Sequence, residues 1–140
     1  MRAFAKFKTP AILTLAAFGL VMLPGSASAG PKERRAAMKA QYKPTGETVD
    51  CVQIRNIQNT RVLDDRTIDF VMNNRQVYRN TLPNSCPSLA FEERFMYKTS
   101  LSQLCSVDII TVLQQWGGGL APGASCGLGT FQPMERPARK

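Results

Sequence analysis

Four widely spaced cysteines constrain the fold of this 140-residue chain more than any other feature. They are Cys51, Cys86, Cys105 and Cys126, and 34, 18 and 20 residues lie between them. No Cys-x-x-Cys motif is present, which zinc ribbons and thioredoxin-like redox sites require. The chain also has no histidine, which excludes Ser-His-Asp triads, histidine-ligated zinc and imidazole pH switches. The even count predicts two long-range structural disulfides, and all three pairings remain open at this point.

The first 29 residues predict export to a compartment where such disulfides persist. Three basic residues are followed by an apolar stretch over residues 11–23 and by the small residues 27–29. This order is typical of a secretory signal peptide, here cut before Gly30. The apolar stretch is too short to cross a bilayer core of about 30 Å, so we expect no transmembrane anchor after processing. The sequence therefore predicts a periplasmic or secreted protein.

The charge of the chain is concentrated at its ends. Residues 30–46 form a basic N-terminal arm and linker with five basic residues and one acidic residue, and residues 135–140 form a basic tail. The predicted domain, residues 47–134, has seven basic and eight acidic residues, so we expect no nucleic-acid-binding face. The arms could contact anionic surfaces weakly, although a plain disordered tail is the interpretation favoured for the N-terminal arm.

Short runs of β-branched and aromatic residues predict about six strands. A first strand begins near Val52, with a bulge or a single helical turn before Ile57. Alternation over residues 67–72 and a second run over 77–82 predict a hairpin, in which Asn73-Asn74 supplies the positive φ of the turn.

Three further strands are predicted later in the chain, over residues 91–99, 107–114 and 129–133. The glycine-rich stretch 116–123 is predicted to be a mobile loop. With no long amphipathic helix, the pattern indicates an all-β domain, a small roll or barrel-like fold of short antiparallel strands.

Several local strings together resemble a family of small exported proteins from Gram-negative bacteria known only as a domain of unknown function. They lie at 62–68 (VLDDRTI), 77–80 (VYRN), 82–89 (LPNSCPSL), 104–108 (LCSVD) and 125–129 (SCGLG). The similarity spans about residues 49–133 and implies no activity. Relatives with two cysteines have them at the positions of Cys86 and Cys126, so the resemblance implies this pair and leaves Cys51 with Cys105. A Cys51 to Cys126 link between the ends of the domain is the main competing arrangement.

Asp64, Asp65 and Asp69 form the densest acidic group. Oxygen ligands this close together could begin a Ca²⁺ site or supply a general acid and base. Asp-Asp before Arg66 is also ordinary turn chemistry, and basic neighbours can neutralise it. We therefore expect a structural turn, and the sequence predicts no metal and no cofactor.

Tyr78, Arg79, Tyr97 and Trp116 could form an aromatic and basic surface that stacks on sugars or bases. The predicted function is a non-catalytic β domain that binds an envelope partner or ligand through loops, chiefly residues 116–123. One alternative is a histidine-free enzyme that uses aspartate and arginine chemistry. The other is an envelope-surface protein held by its tails.

Overall fold

The computed structural model describes residues 29–137, and these residues form a mostly β fold with two helices. The signal-peptide prediction falls almost wholly outside the described residues. No helix within residues 29–137 is long and apolar enough to cross a membrane. The helices are α1 (Pro31–Gln41) and α2 (Leu89–Glu92). The strands are β1 (Lys43–Pro44), β2 (Cys51–Gln53), β3 (Ile57–Asp64), β4 (Thr67–Met72), β5 (Val77–Thr81), β6 (Phe95–Tyr97), β7 (Gln103–Cys105), β8 (Ile109–Trp116), β9 (Gly119–Gly127) and β10 (Phe131–Glu135).

The strands form three antiparallel sheets, which confirms the predicted all-β class. The largest sheet has the order β1-β10-β5-β4-β3, β2 pairs with β7, and the third sheet has the order β6-β8-β9. The predicted alternation on β4 is confirmed, because Ile68, Phe70 and Met72 lie on the inner face, in the core. Thr67 and Asp69 lie on the opposite face of the same strand and are nevertheless buried.

Of the two alternatives predicted before Ile57, a bulge or a helical turn, the structure has a 3₁₀ turn over Ile54–Asn56. The β4–β5 hairpin is also present, but its positive φ falls on Arg75 (67°) rather than on Asn73-Asn74. Asn73 instead fixes the turn to the 3₁₀ segment, since its backbone N–H donates to the carbonyl of Asn56 at 2.8 Å. The predicted hairpin is therefore confirmed, with Arg75 and not the asparagines in the left-handed conformation.

Two segments differ from the strand predictions. Residues 89–92 form α2, so the strand expected from residue 91 begins only at Phe95. The stretch expected to be a mobile loop is instead the end of a β hairpin: Gly117 and Gly118 have positive φ of 49° and 91°, and β9 begins at Gly119. Two glycines suffice for the turn, and the remaining small residues pair with β8.

The core lies between the inner face of the large sheet and the other two sheets. Phe70 packs edge-to-face on Phe131 of β10 and on Phe95 of β6, with ring centroids 5.4 Å and 6.3 Å apart. Asn80 is fully buried in this core, where its side-chain amide exchanges two hydrogen bonds with the backbone of Gly129. The buried polar group is thereby satisfied.

Both disulfides implied by the family resemblance are present. Cys51–Cys105 joins β2 to β7, where the two residues are partners in register. Cys86–Cys126 joins the loop before α2 to β9. They close loops with sequence separations of 54 and 40 residues. In the chain-entropy model, each loop of this size contributes about 4 kcal/mol to stability.

The N-terminal arm is structured along most of its length. Residues 31–41 form α1, and β1 adds to the edge of the large sheet by pairing with β10. The helix lies across the outer face of that sheet, and none of its residues is buried. The interpretation of residues 30–46 as a disordered tail is corrected by this docking, which depends on residues far along the chain.

Candidate functional site

Asp64 and Asp65 hold the β3–β4 turn and the elements beside it. The Asp64 carboxylate accepts hydrogen bonds from the Arg66 backbone N–H (2.9 Å) and from Lys39 Nζ (2.6 Å). Burial raises the pKa of Asp64, but these hydrogen bonds outweigh it and hold the pKa below the ordinary value of 3.8. Asp65 accepts from the backbone N–H of Ala90 at 2.8 Å and so fixes the start of α2.

Asp69 forms a buried ion pair on the outer face of the large sheet. Its carboxylate is 1% exposed and accepts two hydrogen bonds from Arg79, at 2.7 and 3.0 Å. Arg79 also donates to the carbonyl of Lys39 near the end of α1, at 3.0 Å. The bidentate pair therefore joins β4, β5 and the helix.

All three aspartates are therefore bonded to other groups of the same chain. Asp64 and Asp69 lie on the outer face and are linked to α1, Asp64 by Lys39 and Asp69 through Arg79, and Asp65 is bonded to the start of α2. Within residues 29–137, no three Cys, Asp or Glu side chains are grouped so that they could hold a metal ion. The geometry supports the structural interpretation of this acidic group.

Several polar contacts hold helix α1 to the rest of the fold. Arg35 forms an ion pair with Glu93 and donates to the carbonyl of Ala90, while Lys39 bonds Asp64 and the hydroxyl of Thr67. Together with Asp69–Arg79, these contacts give three ion pairs around α1 and the outer face.

The four aromatic and basic candidates are divided among three places. Tyr78 lines a cleft beside the β4–β5 turn, and Arg79 is used by the ion pair under α1. Tyr97 lines a second cleft at the base of the β8–β9 hairpin, and Trp116 stands at the far end of that hairpin. The β8–β9 hairpin, with Trp116 at its end, therefore also borders the cleft that Tyr97 of β6 lines.

This region, residues 109–127, is named here the β8–β9 ribbon. Its inner residues Ile110 and Val112 are fully buried, whereas Ile109 on the outer face is 57% exposed. Beyond Val112 the two strands extend as a pair, and at their end Trp116 is 71% and Leu120 is 55% exposed. The β6-β8-β9 sheet thus presents apolar side chains that the described part of the chain leaves uncovered.

The base of the ribbon has a shallow cleft of about 300 Å³. Its lining combines apolar and uncharged polar side chains with one cation, from Met96, Tyr97, Lys98, Ile109, Thr111 and Pro122. The ribbon is tied to the body on one side, since Leu113 N–H donates to the Arg94 carbonyl at 3.1 Å. A side-chain hydrogen bond from Arg94 to Gln115 adds to this connection.

Sequence reasoning singled out Trp116 in the ribbon and Tyr97 beside it but missed Ile109 and Leu120. A visible pattern marks them: residues 109–134 contain no charged side chain, in a chain that is 20% charged. An uncharged run that includes exposed positions is a pattern that could have identified the surface.

The fold and this geometry define a disulfide-bonded β domain with paired charges on one sheet face and an uncharged, uncovered ribbon on another. The chain belongs to the Family of unknown function (DUF6491), whose model matches residues 9–137. The match is wider than the 49–133 of the sequence resemblance and includes α1. No curated protein matched the chain, and no solved structure matched it.

Proposed function

We propose that this protein is an exported, non-catalytic binding domain that engages a protein partner of the cell envelope through the β8–β9 ribbon. The observation that carries the proposal is the position of Trp116, which is 71% exposed at the end of a hairpin. Tryptophan is among the residues most enriched in interface hot spots, because it buries a large area with few rotatable bonds.

Exposed apolar neighbours support the assignment. Leu120, paired with Gln115, and Ile109 are 55% and 57% exposed on one face of the ribbon, and Trp116 extends from the opposite face at its end. The cleft between Met96 and Pro122 offers a recess for one side chain of a partner. The ribbon therefore presents protruding apolar side chains for a partner to bury and a cleft in which a side chain of the partner can bind.

The lack of charge favours a protein partner over a lipid surface. Binding to anionic headgroups draws on several lysine and arginine residues near the surface. Residues 109–134 contain neither, and the two cations described beside the ribbon are Lys98 in the cleft and Arg94, which is bonded to Gln115. An apolar recess on a protein that accepts the Trp116 indole fits this surface better.

Two further observations support the other parts of the proposal. Disulfides persist in oxidising compartments, and both pairs of cysteines are bonded in this chain. A catalytic function would require free acid or base groups in a cleft, yet all three candidate aspartates are held by ion pairs or backbone hydrogen bonds.

Site-specific photocrosslinking in intact cells tests the proposal. A photoreactive amino acid at Leu120 should capture one predominant protein, and the same group at Phe91, which is 86% exposed on α2, should not. Trp116→Ala should lower the Leu120 crosslink about tenfold or more.

Equal capture from both positions, capture of lipid alone, or a yield unchanged by Trp116→Ala would contradict the proposal. Phe91→Ala is the matched control, because it also removes an exposed aromatic ring but from a different surface.

A further inference from the structure

The cleft that Tyr78 lines lies between the 3₁₀ turn and the β4–β5 turn. Its volume is about 350 Å³, within the range of about 300–1,000 Å³ found for small-molecule sites. Val52 and Met72 supply apolar lining, and Gln53, Asn56 and Tyr78 supply polar groups. The Tyr78 ring also packs against the core cluster, so one part of it is anchored.

The walls of this cleft are fixed to each other. Asn73 donates its backbone N–H to the Asn56 carbonyl at 2.8 Å and its side-chain N–H to the Arg55 carbonyl at 3.2 Å. The Cys51–Cys105 disulfide holds the strand that precedes the 3₁₀ turn. A preformed cleft binds a ligand without the entropic cost of ordering its own loops.

The polar groups of the cleft differ in their availability. Asn73 and Asn74 use their side chains to hold the turn. The side chains of Gln53, Asn56 and Tyr78 bond to no other protein group within residues 29–137, and no buried side-chain atom there lacks a partner. These three groups therefore face solvent and are free to bind a ligand.

The residues lining the cleft carry no ionic charge at neutral pH. Phosphates and carboxylates are bound by cationic groups or clustered backbone N–H groups, so this lining selects against a charged ligand. Each side-chain amide both donates and accepts, as does the tyrosine hydroxyl. Hydroxyl groups of a ligand have the same dual character, whereas an extended peptide is bound chiefly by the main chain of a strand edge.

We propose that the Val52–Tyr78 cleft binds a neutral carbohydrate, with its C–H face against Val52, Met72 and the Tyr78 ring and its hydroxyls on Gln53, Asn56 and the Tyr78 hydroxyl. The cleft and the β8–β9 ribbon share no lining residue, so this site is independent of the proposed partner interface.

The test is an NMR titration of the disulfide-bonded protein with three neutral trisaccharides: maltotriose, cellotriose and N,N′,N″-triacetylchitotriose. At least one should shift the side-chain NH₂ signals of Gln53 and Asn56 in a saturable way below about 10 mM, a range that detects even millimolar Kd values. Glucose 6-phosphate should leave these signals unchanged, and so should a capped trialanine peptide.

Variants assign the binding to the cleft. Gln53→Ala and Asn56→Ala should each raise Kd about tenfold, as loss of a ligand hydrogen bond at a formed site does. Tyr78→Phe keeps the ring and should raise Kd several-fold, while Gln115→Ala on the ribbon should leave it unchanged. The melting temperature of each variant shows that the fold is retained.

The proposal is overturned if none of the three trisaccharides gives saturable shifts. It is also overturned if the Gln53 and Asn56 variants bind as tightly as the native protein, or if the trialanine peptide or glucose 6-phosphate produces the shifts instead.

Discussion

The two larger sheets of this domain differ in what covers their outer faces. On the five-stranded sheet, α1 lies across the face, and the buried Asp69 is bonded to Arg79, which in turn bonds the helix. On the β6-β8-β9 sheet, Ile109 and Leu120 stand more than half exposed, with no charged residue between them. The outer face of the five-stranded sheet is thus covered by α1, which makes polar contacts with it. The outer face of the β6-β8-β9 sheet has exposed apolar side chains that no other element covers within residues 29–137.

Because of this difference, the residues that stabilise the fold should be distinct from the residues that bind a partner. Groups on the covered face satisfy one another, so removing any of them should lower the free energy of unfolding. Groups at the end of the ribbon contact little of the protein, so removing them should leave stability nearly unchanged. Substitutions that lower stability and those that lower binding should therefore map to opposite sides of the molecule.

Phe70→Ala should have the largest effect on stability, because the ring lies in the core that both sheets share. It is fully buried and packs on Phe95 and Phe131. A loss of about 3–5 kcal/mol is expected, against a total of about 5–15 kcal/mol for domains of this kind. Urea unfolding under non-reducing conditions measures it. Phe91→Ala is the control, with a change below about 0.5 kcal/mol.

Asp69→Asn should come next, with a loss of about 3 kcal/mol. The substitution keeps the shape of the side chain but leaves the guanidinium of Arg79 buried without its counter-ion. Urea unfolding of Asp69→Leu, of Arg79→Met and of the variant with both substitutions would measure the coupling. The double variant should lose less than the sum of its single substitutions, and simple additivity would contradict an interacting pair.

Lys39→Met should have a smaller effect, about 0.5–1 kcal/mol or less. The Lys39–Asp64 pair is nearly half exposed at both side chains, so water screens it. Hydrogen exchange should nevertheless accelerate at the backbone amides of α1 and stay unchanged in β4. Acceleration spread evenly over both elements would mean that the helix is not a separable lid.

The Lys39–Asp64 ion pair should contribute less to stability at low pH. The pKa of Asp64 in the folded protein lies below 3.8, so its contribution to stability is present above that pH and is lost as the pH falls through the folded-state pKa. The stability difference between the native protein and Lys39→Met should therefore shrink below pH 3.8. A difference that is constant down to lower pH would show that this ion pair does not hold α1.

Parts of this arrangement could be predicted, some from local patterns in the sequence and the disulfide pairs from the family resemblance. Alternation of apolar residues predicted β4 and its inner face, and the family resemblance implied the Cys86–Cys126 and Cys51–Cys105 pairs, which are confirmed. The irregularity before Ile57, a 3₁₀ turn in the structure, was visible as a change in parity.

The remaining features depend on partners distant in the chain. β1 and β7 have two and three residues and exist only through pairing with β10 and β2. Glycine-rich β9 has low intrinsic strand propensity, so pairing with β8 determines its structure. Docking of α1 depends on Arg79, 40 residues beyond its contact at Lys39. Local patterns do not encode these contacts.

The candidate site was predicted only in part for a similar reason. Trp116 and Tyr97 were identified as aromatic residues in strand-like or glycine-rich segments, but the position of Tyr97 beside the β8–β9 hairpin is a result of the β6–β8 pairing. Ile109 lies in the predicted strand 107–114, and the structure leaves its face of the sheet uncovered. Sequence alternation indicates two faces without indicating which face is covered.

The most direct test of this account measures stability and partner capture together for Trp116→Ala and Asp69→Asn. The account predicts that Trp116→Ala changes the free energy of unfolding by less than about 0.5 kcal/mol while the crosslink at Leu120 falls about tenfold. Asp69→Asn should lower stability by about 3 kcal/mol and leave the crosslink intact in the folded fraction. A Trp116→Ala variant that loses about 2 kcal/mol or more, or that retains full capture, would contradict the separation of a stabilising face from a binding face.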